Sequence, residues 1–160
     1  MSNHIRNAER AHMNTYVPSL FIVVTIASLI LDFFFPSPLY TVMWTQEAGF
    51  IFLFLGSILL YAAHRSAKTI RKDITTSNDS VVDFFVGPYQ YMRHPAYMGM
   101  VLVGIGMSFL LNSGIILLSS ALFYLIARVV VRMEEEHLLH EDSHLNHHYK
   151  AYTKKVKRFF

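Results

Sequence analysis

A short segment near the middle of the chain combines positive charge, a titratable ring and the start of a predicted helix. The basic pair Arg93 and His94 precedes Pro95, and Tyr97 and Gly99 follow it closely. Proline has a fixed φ and no N–H, so it suits the first turn of a helix and keeps the preceding residue out of the helical region. The N-terminus of a helix offers unpaired N–H groups and a positive potential to a carboxylate or another anion. The sequence therefore predicts an anion-binding turn at Arg93 and His94.

A run of glutamates, Glu134 to Glu136, is predicted to meet this turn. A tight connection centred near Ser113 joins two apolar segments, which must therefore be antiparallel neighbours. A helix rises about 1.5 Å per residue, so His94 before the connection and Glu134 or Glu135 after it lie at similar heights, to within roughly one turn. The sequence therefore places carboxylates opposite the basic turn, at the same end of a helical hairpin.

The acidic run also has a simpler interpretation. Arg132 can form ordinary i, i+3 and i, i+4 pairs with Glu135 and Glu136 on the surface of a helix. Solvated pairing accounts for Glu136, whereas the position of Glu134 and Glu135 opposite a basic and aromatic turn favours a functional role. Arg128 lies inside the apolar segment, where an arginine either extends its charge to the membrane surface or takes part in function.

The composition is that of a membrane protein. Hydrophobic residues make up 53% of the 160 positions and charged residues 16%, and the mean hydropathy is +0.34. A soluble domain carries about 25% charged residues, and a helix needs about 20 apolar residues to cross a bilayer. We therefore predict an all-α, polytopic membrane protein of one domain, residues 1–160, with four transmembrane helices, of which the second and third are somewhat short. The predicted helices cover residues 16–35, 48–65, 96–111 and 114–134.

The distribution of positive charge predicts the orientation in the membrane. All 14 lysines and arginines lie in the N-terminal arm, between residues 65 and 93, at the end of the fourth segment or in the tail. Cytoplasmic segments of membrane proteins carry the excess of Lys and Arg, so both termini, the loop 66–95 and the amphipathic tail 137–160 are expected in the cytoplasm. The basic balance, with a pI near 9.2, suits anionic lipid headgroups and does not require nucleic acid. The chain has no cysteine, which excludes disulfides and thiolate chemistry.

Further residues extend the basic turn and the glutamates into a longer pattern. Its pieces are Gly87-Pro88-Tyr89, Arg93-His94-Pro95-x-Tyr97-x-Gly99, a Glu-Glu pair followed by Leu138, Tyr149-x-x-Tyr152 and Val156-x-Arg158-Phe159. The pattern resembles that of the membrane methyltransferase superfamily that includes isoprenylcysteine carboxyl methyltransferases and phospholipid N-methyltransferases, and it covers roughly the C-terminal half of the chain. The Phe-Gly pair that the family usually has after the glutamates is missing. Which two of the three glutamates form the family pair therefore stays open.

The resemblance implies S-adenosylmethionine as the cofactor, bound at the cytoplasmic ends of the third and fourth helices and covered by the tail. Its carboxylate would suit Arg93 and His94. Its amino and ribose groups would suit Glu134 or Glu135, and its adenine would rest against Tyr97 or a tail tyrosine. The resulting cofactor-binding candidates are Tyr89, Arg93, His94, Pro95, Tyr97, Gly99, Glu134, Glu135 and Tyr149. The catalytic candidates are His94, Glu134, Glu135 and Arg128. No metal site is expected.

The acceptor that the resemblance implies is lipophilic and enters from the bilayer between helices. A lipid amine, a prenylated carboxylate and an isoprenoid or quinone hydroxyl all remain open. The methyl group is displaced in line, so the protein supplies alignment and water exclusion rather than a covalent nucleophile. A carboxylate or His94 would accept a proton from an amine acceptor, whereas a carboxylate acceptor needs no base. The expected partners are this substrate and membrane lipids, and the oligomeric state stays open.

Two other classes of protein remain open. His140, His144, His147 and His148 are spaced like a histidine box of the membrane di-iron oxygenases, in which imidazoles on one helix face bind a metal. That class needs several boxes, and the rest of this chain has none as dense, so a solvated histidine cluster is the simpler interpretation. A small membrane protein without enzymatic activity is the other alternative.

Overall fold

The protein is built from helices. The computed structural model describes residues 2–39, 44–76, 84–140 and 144–159, with side chains at 17–39, 45–72, 84–136 and 149–159. These residues form five α-helices and one 3₁₀ turn, with no β-strand among them, which confirms the predicted all-α class over the described part of the chain. The helices are α1 (Ser2–Phe34), α2 (Trp44–Thr76), α3 (Pro95–Leu110), α4 (Gly114–His140) and α5 (His144–Lys155), and the 3₁₀ turn is Gly87–Gln90.

Apolar spans of membrane-crossing length lie in three of the described helices. The spans are Val17–Phe34, Thr45–Lys72 and Gly114–Glu136, whereas α3 is apolar but has only 16 residues. Large apolar side chains on the outer faces of these helices are exposed, among them Phe33 and Phe54. Water disfavours such surfaces, and lipid does not. The three long apolar helices, with a shorter fourth, indicate an integral membrane protein.

Two helices extend beyond the bounds predicted from the sequence. α1 begins earlier than predicted, at Ser2, and α2 continues to Thr76, so the first residues of the predicted loop 66–95 are helical. The extension of α2 has a buried face of its own, because Ser66 and Ile70, one helical turn apart, are both buried. The predicted second helix ends at residue 65, whereas the apolar span and the buried face of α2 both continue past it.

α2 and α3 pack through two facing pairs of glycines. Gly49 faces Gly106, and Gly56 faces Gly99. In each helix the two glycines are about 7 residues apart, or two turns, and therefore share one face. A Cβ at Gly106 would lie 2.6 Å from the backbone N of Leu53 and 2.9 Å from the carbonyl O of Gly49. The two backbones thus approach as closely as small residues allow between helices in lipid.

A tight turn joins α3 to α4 and is tied to the segment that follows α1. Asn112 in this turn has a positive φ of 51°, and the N–H of Gly114 donates to the carbonyl of Ser37 at 2.7 Å. α4 packs against α1 through Phe123 and Phe21, whose ring centroids are 5.0 Å apart. The helices therefore follow the order α2, α3, α4, α1 across the bundle. This arrangement brings the start of α3 and the end of α4 to the same end.

Replacing Gly106 by alanine is expected to destabilise the protein, because the added Cβ must separate α2 from α3. Overpacking of this kind costs about 1–3 kcal/mol, so thermal unfolding of the purified protein in detergent should begin several degrees lower. Ala121→Val, which adds volume at an exposed position of α4, is the matched control and should leave the unfolding midpoint unchanged. Equal midpoints for both variants would mean that α2 and α3 are not in glycine contact.

Candidate active site

The carboxylate of Glu135 lies at the centre of a polar cluster near the end of α4. Its side chain is only 3% exposed. Oε1 lies 3.0 Å from Nε2 of His94 and 3.0 Å from Nη1 of Arg93. Oε2 accepts a hydrogen bond from Nε of Arg158 at 2.8 Å, and Nη2 of the same arginine lies 2.6 Å away. The predicted meeting of the glutamates with the Arg93–His94 turn is therefore confirmed.

The residues before α3 have the conformation that proline imposes. α3 begins at Pro95, and His94 directly before it has φ −127° and ψ 61°, outside the helical region. The backbone N–H of Arg93 donates to the carbonyl of Lys157 at 3.0 Å. The start of α3 is thus fixed on one side by the ring of proline and on the other by the tail.

This cluster holds more positive than negative charge. The one carboxylate of Glu135 faces the guanidinium groups of Arg93 and Arg158 as well as the ring of His94. Nε of Arg93 is in addition buried without a hydrogen-bond partner among the described residues. A buried donor that lacks a partner costs about 1–3 kcal/mol. A further acceptor, such as the carboxylate of a ligand, would satisfy this donor of Arg93.

Glu134 faces the same turn through Tyr97. The Tyr97 hydroxyl donates to Oε1 of Glu134 at 2.8 Å, and the ring centroids of Tyr97 and His94 are 5.7 Å apart. Glu134 is half-buried, whereas Glu136 is exposed. The two glutamates that face the basic turn are therefore Glu134 and Glu135.

The tail covers the cluster. The hydroxyl of Tyr152 in α5 donates to the carbonyl of Tyr89 in the 3₁₀ turn at 2.6 Å. The ring of Phe159 packs between His94 and Tyr124, with centroid distances of 6.3 Å and 5.9 Å. The aromatic face of α5 is buried against the segment that follows α2. The tail thus closes the site on the side away from the apolar helices.

Burial raises the pKa of the tyrosines around the tail. Burial, followed by the carboxylate of Glu135, raises the pKa of Tyr149 to about 12. Burial and the neighbouring phenols of Tyr149 and Tyr89 raise the pKa of Tyr152. Burial also raises the pKa of Tyr89, although the positive charge of Arg71 acts in the opposite direction. These phenols therefore remain neutral hydrogen-bond donors at physiological pH.

The structure separates two of the predicted candidates from the cluster. Gly99 faces α2, where a Cβ would lie 2.7 Å from Cγ of Leu60, so it serves the contact between helices. Arg128 is exposed, with its guanidinium carbon 5.8 Å from the centre of the Tyr124 ring, and lines a neighbouring groove. Pro95 is buried at the helix start. The candidates that lie together around Glu135 are Tyr89, Arg93, His94, Tyr97, Glu134, Glu135 and Tyr149.

Three residues of the site are not among the candidates that the sequence predicts: Tyr152, Arg158 and Phe159. All three belong to the tail pattern quoted above. Arg158 follows a run of other basic residues, and a sequence does not show which of several neighbouring cations reaches a carboxylate. The fixed spacing of the tail pattern is the signal that singles out Arg158 and Phe159.

The described side chains include no group of three or more His, Asp or Glu that could hold a metal ion. The histidine-rich stretch 140–148, on which the metal-oxygenase interpretation depends, lies outside the described side chains. The neighbours of Glu135 are the ring of His94 and two guanidinium groups, and these cations compete with a metal ion for the carboxylate.

The chain matches the model of the phospholipid methyltransferase family over residues 44–151. This range is more than half of the chain and contains α2, α3, α4 and part of α5, hence both the basic turn and the glutamates. α1 and the end of the tail, with Arg158, lie outside it. No curated protein and no solved structure matches the chain.

Replacing Glu135 by glutamine is expected to release the tail, because it removes the charge that holds Arg93 and Arg158. Breaking a buried ion pair by removing one partner costs about 3–5 kcal/mol. Trypsin should therefore cleave the native purified variant after the basic residues 154, 155, 157 and 158 faster than the wild type, by about tenfold or more. Glu136→Gln makes the same change of charge at the exposed neighbour and should be cleaved at the wild-type rate. Equal protection of both variants would show that Glu135 does not hold the tail.

Proposed function

This chain belongs to the phospholipid methyltransferase family, and we propose that it transfers a methyl group from S-adenosylmethionine to a lipophilic acceptor at the membrane surface. The observation that carries the proposal is the cluster in which Glu135 meets Arg93, His94 and Arg158. The cluster lies at one end of a bundle of apolar helices. A water-soluble donor and a lipid-borne acceptor can both reach such a position.

The residues of the cluster fit the chemical groups of S-adenosylmethionine. The partnerless buried donor of Arg93 and the N-terminus of α3 suit its carboxylate. Glu134 and Glu135 suit its amino group and ribose hydroxyls, and Tyr97 or Tyr149 offers an aromatic face to the adenine. When bound, S-adenosylmethionine supplies a methyl group that its sulfonium already activates, so the protein needs no covalent nucleophile.

The chain's own residues then align the reactants and exclude water. His94 is oriented by Glu135 through Nε2, and if this nitrogen carries the proton, Nδ1 is the atom that accepts a proton from an amine acceptor. Phe159 packs on the other side of the His94 ring and shields it from solvent. A lipid amine, a prenylated carboxylate and an isoprenoid or quinone hydroxyl are the acceptor classes that match this arrangement, each entering from the bilayer.

We propose that the site faces the cytosol. Arg65 and Lys68 on α2 and Arg128 and Arg132 on α4 lie at the same end of the bundle as the cluster, and cytoplasmic ends carry the excess of positive charge. α3, at 16 residues, has a length of about 24 Å. It crosses as a fourth helix if the bilayer thins locally or flanking residues extend it. Both termini then lie in the cytosol.

Removing His94 or Glu135 is expected to weaken both donor binding and methyl transfer. Calorimetric titration of the purified full-length protein with S-adenosylmethionine should show saturable binding. His94→Ala and Glu135→Gln should each weaken this binding, and the transfer of radiolabelled methyl into a total lipid extract, by about tenfold or more, because each removes a group that orients the ligand. Thermal unfolding of each variant serves as the check on folding.

Glu136→Gln is the matched control for these variants and should bind and transfer like the wild type. Wild-type transfer by both His94→Ala and Glu135→Gln would contradict the placement of the site. A folded wild-type protein that binds no S-adenosylmethionine would contradict the proposed function itself.

A further inference from the structure

A basic groove lies between α4 and the tail, beside the Glu135 cluster. Its volume is about 660 Å³. One wall is the face of α4 that carries Tyr124, Arg128 and Arg132 on successive helical turns. The other wall is formed by residues 153–159 of the tail, and Arg93 also lines the groove.

The charge of the basic groove is of one sign. Seven of its eleven lining residues are Lys or Arg, and none of them is acidic. Arg93 and Arg158 share the carboxylate of Glu135. Like charges gathered in one concave surface repel one another and attract an anion. Within the described part of the chain, no carboxylate pairs with the remaining five cations, which are Arg128, Arg132, Lys154, Lys155 and Lys157.

The position of the basic groove on α4 indicates which anion it meets. Arg128 and Arg132 lie within the apolar span Gly114–Glu136, and the neighbouring side chains of Val129 and Met133 are exposed. The groove therefore lies at the border between the exposed apolar face of α4 and its basic face. Charged side chains in an apolar span are costly unless they find a partner. At this level of a bilayer the available anion is the phosphate group of a lipid.

We propose that the basic groove binds the phosphate group of an anionic membrane lipid. The guanidinium groups of Arg128 and Arg132 are its main ligands, and the acyl chains lie along the exposed apolar face of α4. The planar fork of arginine matches the oxygens of a phosphate in pairs. The surplus of cations favours a headgroup of net negative charge over a zwitterionic one, whose ammonium group it repels.

The methyl donor does not account for the basic groove. S-adenosylmethionine carries a sulfonium and an ammonium cation against one carboxylate, so a lining with seven cations and no acidic residue repels it overall. The carboxylates that suit these cations, Glu134 and Glu135, do not line the groove. The lipid site and the proposed donor site are therefore neighbours with opposite preferences for charge. Lipid binding needs no methyl transfer, so its test is independent of the proposed function.

Native mass spectrometry of the purified full-length protein in detergent, with phosphatidylglycerol or phosphatidylcholine added, measures lipid binding directly. The wild type is expected to bind phosphatidylglycerol about tenfold more tightly than phosphatidylcholine, and Arg128→Gln with Arg132→Gln should abolish this preference. The matched control is Arg65→Gln with Lys68→Gln, which removes the same charge from exposed positions on α2 at the same end of the bundle. The control should keep the preference.

Lys154→Gln with Lys157→Gln, on the opposite wall of the groove, is a second variant that should also reduce the preference, and it decides the test if the arginine variant does not fold. Excess inorganic phosphate should leave phosphatidylglycerol bound, because the acyl chains add to the binding free energy. Equal losses in the groove and control variants would overturn the proposal in favour of diffuse surface charge. A wild type without preference, or complete displacement by inorganic phosphate, would overturn the assignment to a lipid.

Discussion

The buried carboxylate of Glu135 holds the functional end of this protein together. A buried charge is stable only where opposite charges and hydrogen bonds compensate for its lost hydration. The compensating groups come from Arg93 and His94 at the start of α3 and from Arg158 in the tail. Segments that are distant in sequence must therefore meet at this carboxylate. The positions of the tail and of the end of the hairpin both depend on it.

Apolar packing makes that meeting possible without taking part in it. The facing glycines set α3 against α2, and the contact between Phe21 and Phe123 sets α4 against α1. With both helices of the hairpin fixed, their polar ends lie at a common height. Negative and positive side chains then occupy different parts of this region. Carboxylates and phenols face the start of α3, and cations that pair with no carboxylate among the described residues lie along α4 and the tail. The two ligands that we propose, a cationic methyl donor and an anionic lipid, therefore have neighbouring sites of opposite charge.

The sequence predicts the hairpin contacts well because helix geometry is regular. Counting residues from the turn near Ser113 is enough to bring His94 to Glu135, since each residue adds a fixed rise. The same counting does not reach Arg158, because α4 ends at His140 and Arg158 lies in the tail after a separate helix, α5. Gly99 shows a further limit of prediction from the sequence, because a glycine near a helix start can face either a ligand or a neighbouring helix. Only the position of α2 in the structure shows that Gly99 packs against that helix. α2 also continues past its predicted end at residue 65, where Ser66 and Ile70 are buried against neighbours that the sequence alone does not place.

The central claim is that the Glu135 cluster, where the start of α3, the end of α4 and the tail meet, holds the methyl donor. Ultraviolet irradiation of the purified protein with S-adenosylmethionine that is radiolabelled in its methyl group, followed by peptide mapping, tests this most directly. The label is expected on peptides that contain residues 89–99, 134–136 or 149–159, and excess unlabelled S-adenosylmethionine should prevent it. Label confined to α1, or to the apolar part of α2, would contradict the claim.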